Sequence, residues 1–275
     1  MKKFQVVKKL QVDEFDRQQA AHPDQVFLRS SSALVLDADS GETIFAKNSQ
    51  AIMPIASITK LMTAMVVLDR ELDLDARVVI SADDADFLKH TGSRLRPGAM
   101  LSRNELLLLA LMASENRAAA ALARTYPGGS DAFVVAMNTK ARAIGMADSH
   151  FADSTGLTSA NVASAPDLAR LVKAAHAYPV IRQYSTRNQA QVSVFGKALQ
   201  YRNTNSLVHG QTWDIGLQKT GFINEAGRCL VMRVHLASKD LVVVLLDSWG
   251  KNSRIGDAQR IKKWLETSAA SRRQG

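Results

Sequence analysis

The chain has 275 residues, of which 46% are hydrophobic and 22% charged, and its formal net charge is +9. A chain of this length can bury a sizeable core, as one large domain or two interleaved lobes. No apolar run approaches the roughly 20 residues that a membrane span needs. The single Cys229 excludes an internal disulfide and a cysteine-rich zinc site. The basic residues are scattered, which favours a solvated basic surface over a nucleic-acid site.

The first part of the chain predicts an arm, a hairpin and a buried helix. Residues 1–29 are polar and charged without clear periodicity, and we interpret them as a leader or flexible arm. They lack the apolar segment of a signal peptide, so composition allows a cytosolic protein or a chain whose signal has been removed. Apolar runs at 33–36 and 43–46 flank a turn-rich link and predict a hairpin. The apolar stretch 61–68 predicts a buried helix.

The middle of the chain predicts further helices. Ser102 and Glu105 form a capping box ahead of an apolar helix, which should end near residues 114–116. A helix is also predicted over 83–90, and others over 117–124, 131–144 and 164–175. Residues 148–162 are rich in Ser, Thr, Asp and Gly and predict a long loop.

From residue 189 onward the pattern predicts strands. A hairpin is predicted about Gly196, and short turns join three strands at 216–222, 229–236 and 241–247, which makes their pairing antiparallel. A closing helix is predicted over 254–267. Strands at both ends with helices between them indicate an α+β fold with one sheet assembled from distant segments. We expect a domain over 30–270, with a sheet lobe from 30–55 and 185–270 and a helical lobe from 56–184.

The predicted start of the first buried helix carries a serine and a lysine one turn apart, Ser57 and Lys60. A nucleophilic hydroxyl needs a base within hydrogen-bond reach, and residues three apart on a helix share a face. Burial disfavours the ammonium form and therefore lowers the pKa of a lysine. The pattern alone is weak, because Ser248 and Lys251 repeat it after a strand-like run.

Two more motifs follow in order. Ser114 and Asn116 lie at a predicted helix–helix junction, and Lys219, Thr220 and Gly221 lie in a predicted strand. The ordered triple resembles penicillin-binding proteins and serine β-lactamases. A rival pair, Ser159 and Asn161, falls in the predicted loop instead. The residues flanking the first and third motifs, 57–65 and 219–227, are similar to low-molecular-mass penicillin-binding proteins of serine peptidase family S11, above all to the D-alanyl-D-alanine endopeptidases. The likeness covers residues 33–248.

The resemblance implies a β-lactamase/transpeptidase-like fold, in which an antiparallel sheet is flanked by helices and carries an inserted all-helical subdomain. It implies an active-site cleft between the two, and no separate C-terminal domain is expected. It also implies roles for individual residues. The implied roles are nucleophile for Ser57, neutral base for Lys60, proton relay for Ser114, positioning of Lys60 and substrate for Asn116, positive charge for Lys219, carboxylate binding for Thr220, room for a substrate strand at Gly221, and oxyanion-hole N–H groups for Ser57 and Phe222.

The implied function is a periplasmic serine DD-peptidase that acts on peptidoglycan stem peptides and is acylated by β-lactams. An endopeptidase that cuts D-Ala–diaminopimelate cross-links is favoured, with a D-alanyl-D-alanine carboxypeptidase as the alternative. No cofactor or nucleic-acid partner is predicted. No metal is predicted either, since the six histidines show no metal-ligand spacing. A class A β-lactamase is disfavoured because no Glu lies between Asn116 and Lys219. Intact Ser57, Lys60 and Lys219 disfavour a non-catalytic cell-wall binding module.

Overall fold

The computed structural model describes residues 22, 25–210 and 212–274, with side chains as far as residue 268. Its centre is a five-stranded antiparallel sheet. In spatial order the strands are β2 (Thr43–Lys47), β1 (Ser30–Asp37), β11 (Lys239–Ser248), β10 (Gly227–Leu236) and β9 (Asp214–Ile223). The sheet therefore joins the two ends of the described chain, and β9 forms one of its edges.

Apart from the last helix, the remaining elements lie between β2 and β9 in the sequence. The helices are α1 (Thr59–Asp69), α2 (Arg103–Met112), α3 (Asn116–Arg124), α4 (Gly129–Ala143), α5 (Ala165–His176), α6 (Pro179–Thr186) and, after the last strand, α7 (Ser253–Gln274). Three two-stranded pairs accompany them: β3 (Met53–Pro54) with β6 (Val162–Ala163), β4 (Arg77–Val79) with β5 (Met100–Ser102), and β7 (Gln189–Val194) with β8 (Lys197–Arg202). None of the described helices is both long and apolar enough to cross a membrane.

Side-chain caps fix two of the helix starts that the sequence predicts. The Ser102 hydroxyl accepts from the Glu105 N–H, and the Glu105 carboxylate accepts from the Ser102 N–H, so the capping box is confirmed. The Ser164 hydroxyl accepts from the N–H of Asp167 at the start of α5. A cap of this kind contributes about 1 kcal/mol because it satisfies backbone donors that the helix leaves free.

The sheet is buried on both faces. One face packs on α5 and the helical region, and the other packs on α7, where Leu230 and Leu245 of the sheet join Ile261 of the helix in a second apolar cluster. Full burial of such a side chain contributes roughly 1.5–3 kcal/mol. The continuous apolar runs of β10 and β11 thus belong to a sheet that lies between helices on both faces.

A buried carboxylate anchors α7 to the sheet. Asp257 is fully buried and accepts hydrogen bonds from the N–H and hydroxyl of Ser30, from the hydroxyl of Ser248 and from the N–H of Arg29. Leu28 is buried beside this point. The last residues of the segment predicted as an arm therefore pack on α7 and β1; the rest of that prediction, residues 1–21, 23 and 24, lies outside the described residues.

One predicted helix is wrong and one helix was missed. Residues 83–90 form a 3-10 turn at Ala82–Asp84 followed by a loop, because the Asp86 carboxylate accepts from the backbone N–H groups of Leu88, Lys89 and Thr91. Such local side-chain bonds compete with helical ones. The helix α6, with Pro179 at its first position, has no counterpart in the sequence prediction. The hairpin around Gly196 is confirmed, but it stands outside the five-stranded sheet.

Candidate active site

Ser57 lies in a tight turn that leads into α1. The turn is a 3-10 helix over Ala56–Ile58, and Ala56 has a φ of +47°, a left-handed conformation that is strained for a residue with a side chain. Lys60, in the first turn of α1, is fully buried, and its Nζ lies 2.8 Å from Ser57 Oγ. The predicted pair is therefore in hydrogen-bond contact.

The Lys60 amine has two further partners, Asn116 Oδ1 at 2.8 Å and the carbonyl oxygen of Thr155 at 2.6 Å. Asn116 Nδ2 donates to the hydroxyl of Thr91, which fixes the amide so that its oxygen faces the lysine. Burial lowers the pKa of Lys60 to about 7, although the nearby carboxylates, Asp153 foremost, oppose the shift. The amine is therefore largely neutral slightly above neutral pH.

Ser114 and Asn116 occupy the junction between α2 and α3. Ser114 has a φ of +58°, so the chain reverses sharply at this residue and Asn116 can begin the next helix. The Ser114 hydroxyl accepts a hydrogen bond from Lys219 Nζ at 2.9 Å. The second and third motifs thus meet across the cleft, as the first and second do at Lys60.

Strand β9 carries the third motif along the edge of the sheet. Lys219 is fully buried, and the Thr220 hydroxyl bonds to that of Thr204 at 2.6 Å. A Cβ added to Gly221 would lie 2.9 Å from the Ile55 carbonyl oxygen and 3.1 Å from Ser57 N. Glycine is therefore needed for β9 to approach the Ser57 turn. Phe222, which follows, is half exposed.

Lys219 lies among cations rather than carboxylates. Burial lowers its pKa well below the usual value, and the positive charges of Lys60 and Arg254 lower it further. Its two hydrogen-bond acceptors are neutral, Ser114 Oγ and the Thr220 carbonyl. Two protonated lysines in this cleft would repel each other without a counter-ion.

The peptidase S11 family, described as D-alanyl-D-alanine carboxypeptidase, matches residues 17–250. The chain belongs to this family. The match begins within the segment predicted as an arm, so the family likeness extends further toward the N-terminus than residue 33. The resemblance to S11 penicillin-binding proteins and the assignment as a serine DD-peptidase are thereby confirmed.

Individual relatives agree with the family match. The chain is 48% identical to a D-alanyl-D-alanine endopeptidase of Pseudomonas aeruginosa and 44% identical to one of Escherichia coli, each over 90% of this chain and 81% of the relative. Among solved structures, the Streptomyces K15 DD-transpeptidase superposes with a TM-score of 0.81 at 25% identity, covering 88% of this chain and 99% of that one. The predicted α+β fold is confirmed.

The S11 peptidase contains a loop at the candidate site whose contacts the sequence analysis missed. Thr155 contributes the carbonyl that contacts Lys60, and a Cβ on Gly156 would lie 1.9 Å from the Ala56 carbonyl oxygen. Asp153 shapes the loop, since its carboxylate accepts from the N–H groups of Thr155, Gly156 and Thr158. The turn-rich sequence predicts a loop here but does not indicate that it packs against the turn that carries Ser57.

Arg254, near the start of α7, is a second group that the sequence analysis missed. Its guanidinium donates to the Gly221 carbonyl at 3.3 Å, and burial lowers its pKa to about 10. The arginine therefore adds positive charge next to Lys219. The sequence of a predicted helix does not indicate that one of its arginines contacts the edge strand β9.

The rival motifs have other places in the peptidase. Asn161 is fully buried, and its amide binds Asp153 and Thr59 as part of the loop's framework. Ser248 contacts Ser30 and Asp257 in the α7 anchor, and Lys251 is exposed.

The histidines and the cysteine lie outside the candidate site. Within the described residues, no group of three or more His, Cys, Asp or Glu side chains could hold a metal ion. Cys229 is buried, and burial raises the pKa of its thiol to about 12.

Proposed function

We propose that this S11 peptidase cleaves D-alanyl bonds of peptidoglycan stem peptides in the periplasm through an acyl-enzyme on Ser57. The observation that carries the proposal is the set of three neighbours around Lys60 Nζ. Two of them, Asn116 Oδ1 and the Thr155 carbonyl, can accept a hydrogen bond but cannot donate one, and the third is the Ser57 hydroxyl. In the proposed neutral form, the two N–H bonds of the amine serve the two acceptors, and its lone pair is left for the proton of the Ser57 hydroxyl.

In the proposed acylation step, the Ser57 Oγ attacks the D-alanyl carbonyl carbon while its proton passes to Lys60 Nζ. The carbonyl oxygen becomes an oxyanion, for which the N–H groups of Ser57 and Phe222 are the proposed donors. Losing one such donor typically costs about 10²–10³ in rate. Collapse breaks the C–N bond, and Ser114, bonded to Lys219, passes its hydroxyl proton to the leaving amine. Ser114 then takes up the proton that Lys60 received from Ser57, which returns Lys60 to its neutral form. Water then hydrolyses the ester.

A substrate carboxylate would supply the anion that Lys219 lacks. An opposite charge within about 4–6 Å favours the protonated form of a lysine. We propose that the carboxylate beside the scissile bond binds the Thr220 hydroxyl, with Lys219 and Arg254 as its cations. Binding would raise the pKa of Lys219 and keep the proton there, and the resulting positive charge would hold Lys60 neutral. Binding of the substrate would thus keep Lys60 in the neutral form that acts as the base.

Acylation should depend on pH in the direction that the Lys60 pKa sets. Only the neutral amine accepts the serine proton, and its pKa is about 7. Below pH 7 the second-order rate constant for penicillin acylation should fall about tenfold per pH unit, and above pH 8 it should level off. Stopped-flow measurements from pH 5 to 9 test this, with circular dichroism at each pH as the control for folding. A rate constant that stays flat from pH 5 to 8 would contradict the assignment.

Penicillin should be consumed in one stoichiometric burst and then slowly. Between Asn116 and Lys219 there is no Glu to activate a deacylating water. Asp153 is the carboxylate with the largest effect on the pKa of Lys60. Its oxygens accept hydrogen bonds from backbone N–H groups of its own loop, so it is poorly placed to act as a base. Spectrophotometry of a chromogenic β-lactam measures both phases. Sustained turnover at many per second would restore the β-lactamase interpretation.

We further propose that cross-links are the preferred substrate. The two relatives at 48% and 44% identity bear the name endopeptidase, whereas relatives named carboxypeptidase are 27–31% identical. The carboxypeptidase alternative uses the same chemistry and releases free D-alanine. Purified cross-linked muropeptide dimers should be cut to monomers faster than monomeric pentapeptide loses D-alanine, as followed by chromatography. Release of D-alanine from pentapeptide with dimers left intact would favour the alternative.

A further inference from the structure

A cavity of about 440 Å³ opens beside the α2–α3 junction. Ala113 and Glu115 form one wall, and Arg94, Tyr201 and Arg202 form the other. We name it the junction pocket. None of the roles proposed above uses it, yet it adjoins the residues that carry them.

Tyr201 lines the junction pocket, and its hydroxyl is buried. The residue is 4% exposed, and its hydroxyl has no hydrogen-bond partner among the described residues. Burial raises the pKa of this phenol to about 12, with the charge of Glu115 adding to the shift, so the hydroxyl keeps its proton. A buried hydroxyl without a partner is destabilising, which indicates a group that is paired when something else is present.

Arg94 stands over the same ring. Its guanidinium carbon lies 3.8 Å from the centroid of Tyr201, a cation–π arrangement, and Arg94 also lines the pocket. Arg202 adds a second exposed cation, and Glu115 offsets one of the two. The junction pocket therefore carries a net positive charge together with a neutral donor, which suits a carboxylate.

We infer the position of the junction pocket relative to the cleft from the residues that adjoin it, and place it on the leaving-group side. Ala113 and Glu115 flank Ser114, whose hydroxyl is the proposed proton donor to the leaving amine. On the opposite wall, Arg202 comes two residues before Thr204, which bonds to Thr220. A group attached to the leaving nitrogen would therefore extend from Ser114 into this cavity.

The two candidate substrates differ in this group. Free D-alanine carries one methyl, which leaves the cavity unused, whereas a cross-link carries a whole second stem peptide with several carboxylates. A volume of about 440 Å³ falls in the usual range of small-molecule sites, roughly 300–1,000 Å³. Resting on the proposed function, we propose that the junction pocket binds a carboxylate of the second stem, with Arg94 and the Tyr201 hydroxyl as its donors. This contact selects cross-linked over monomeric substrate.

Binding to the inactive Ser57→Ala protein tests the contact without turnover. Isothermal titration with a purified muropeptide dimer should show about tenfold weaker affinity in Arg94→Gln and a three- to tenfold loss in Tyr201→Phe, with part of the affinity restored in Arg94→Lys. Arg96→Gln is the matched control, since Arg96 is exposed two residues away and outside the pocket. The melting temperature of each variant is measured as the control for folding.

Monomeric pentapeptide and the active enzyme separate the possible failures. Equal losses of affinity for dimer and pentapeptide would overturn the inference, as would unchanged dimer affinity in both Arg94→Gln and Tyr201→Phe. If active enzyme cleaves dimers but Arg94→Gln leaves the ratio of dimer cleavage to penicillin acylation unchanged, the pocket assignment fails and the endopeptidase stands. If active enzyme leaves dimers intact while dimer binding still depends on Arg94, the endopeptidase fails and the pocket stands.

Discussion

Replacing Ser57 with alanine should abolish both peptide-bond cleavage and the covalent penicillin adduct. The variant removes the Oγ that lies 2.8 Å from Lys60 Nζ and leaves no other hydroxyl beside that amine among its described hydrogen-bond partners. Intact-mass spectrometry after penicillin treatment should show one adduct on the wild-type protein, in the peptide that holds Ser57, and none on Ser57→Ala. The loss should reach the assay background, because nucleophilic catalysis has no residual route without its nucleophile.

Ser159→Ala is the matched control for this experiment. Ser159 belongs to the rival pair, is exposed and lies in the loop that follows Gly156. Its replacement should leave the adduct and its rate unchanged. An adduct that persists in Ser57→Ala, mapped to any other residue, would remove Ser57 from the proposed mechanism.

Replacing Lys60 with arginine should slow acylation by about 10²–10⁴-fold, the usual contribution of a positioned base. Arginine keeps its proton at any working pH and cannot accept one from Ser57. Its guanidinium would also have to occupy the fully buried place of the amine, next to Asn116 Oδ1. Stopped-flow acylation with a fluorescent penicillin measures the rate constant.

Lys60→Gln separates lost basicity from a disturbed fold. Glutamine is neutral and of similar reach, so it avoids a buried charge but is no base. Both variants should be slow, and Lys60→Gln should keep a cooperative thermal transition. A rate constant within tenfold of wild type in either variant would show that the serine proton goes elsewhere.

The main elements could be predicted because their signals are local. Caps at Ser102 and Ser164 mark helix starts, and apolar runs separated by short turns give the last three strands. The helix predicted over 83–90 failed where Asp86 binds its own backbone, a competition that periodicity does not reveal. The hairpin around Gly196 lies outside the five-stranded sheet, and this position likewise depends on tertiary packing that a local pattern does not show.

The residues of the candidate site also fall into those that the sequence predicts and those that it does not. Ser57, Lys60, Ser114, Asn116 and Lys219 could be named because each belongs to a short motif, and the structure brings all five together. Thr155 contributes a backbone carbonyl, which any residue could supply, and Arg254 reaches the site from the far end of the chain. Contributions that do not depend on residue type, or that depend on long-range packing, leave no trace in a local pattern.

The edge position of β9 has a consequence for the protein's solubility. An open sheet edge can pair with a strand of another molecule and so begin aggregation. Here the edge is closed at Gln218, whose backbone N–H and side-chain amide bind Ser185 of α6, and Gly221 is packed close to the Ser57 turn. The accessible stretch is therefore a few residues long, bounded by covered backbone at Gln218 and by the fully buried side chain of Lys219. A short peptide fits this stretch better than a full strand from a second copy, so β9 is a weaker template for edge-to-edge pairing than a fully open edge strand.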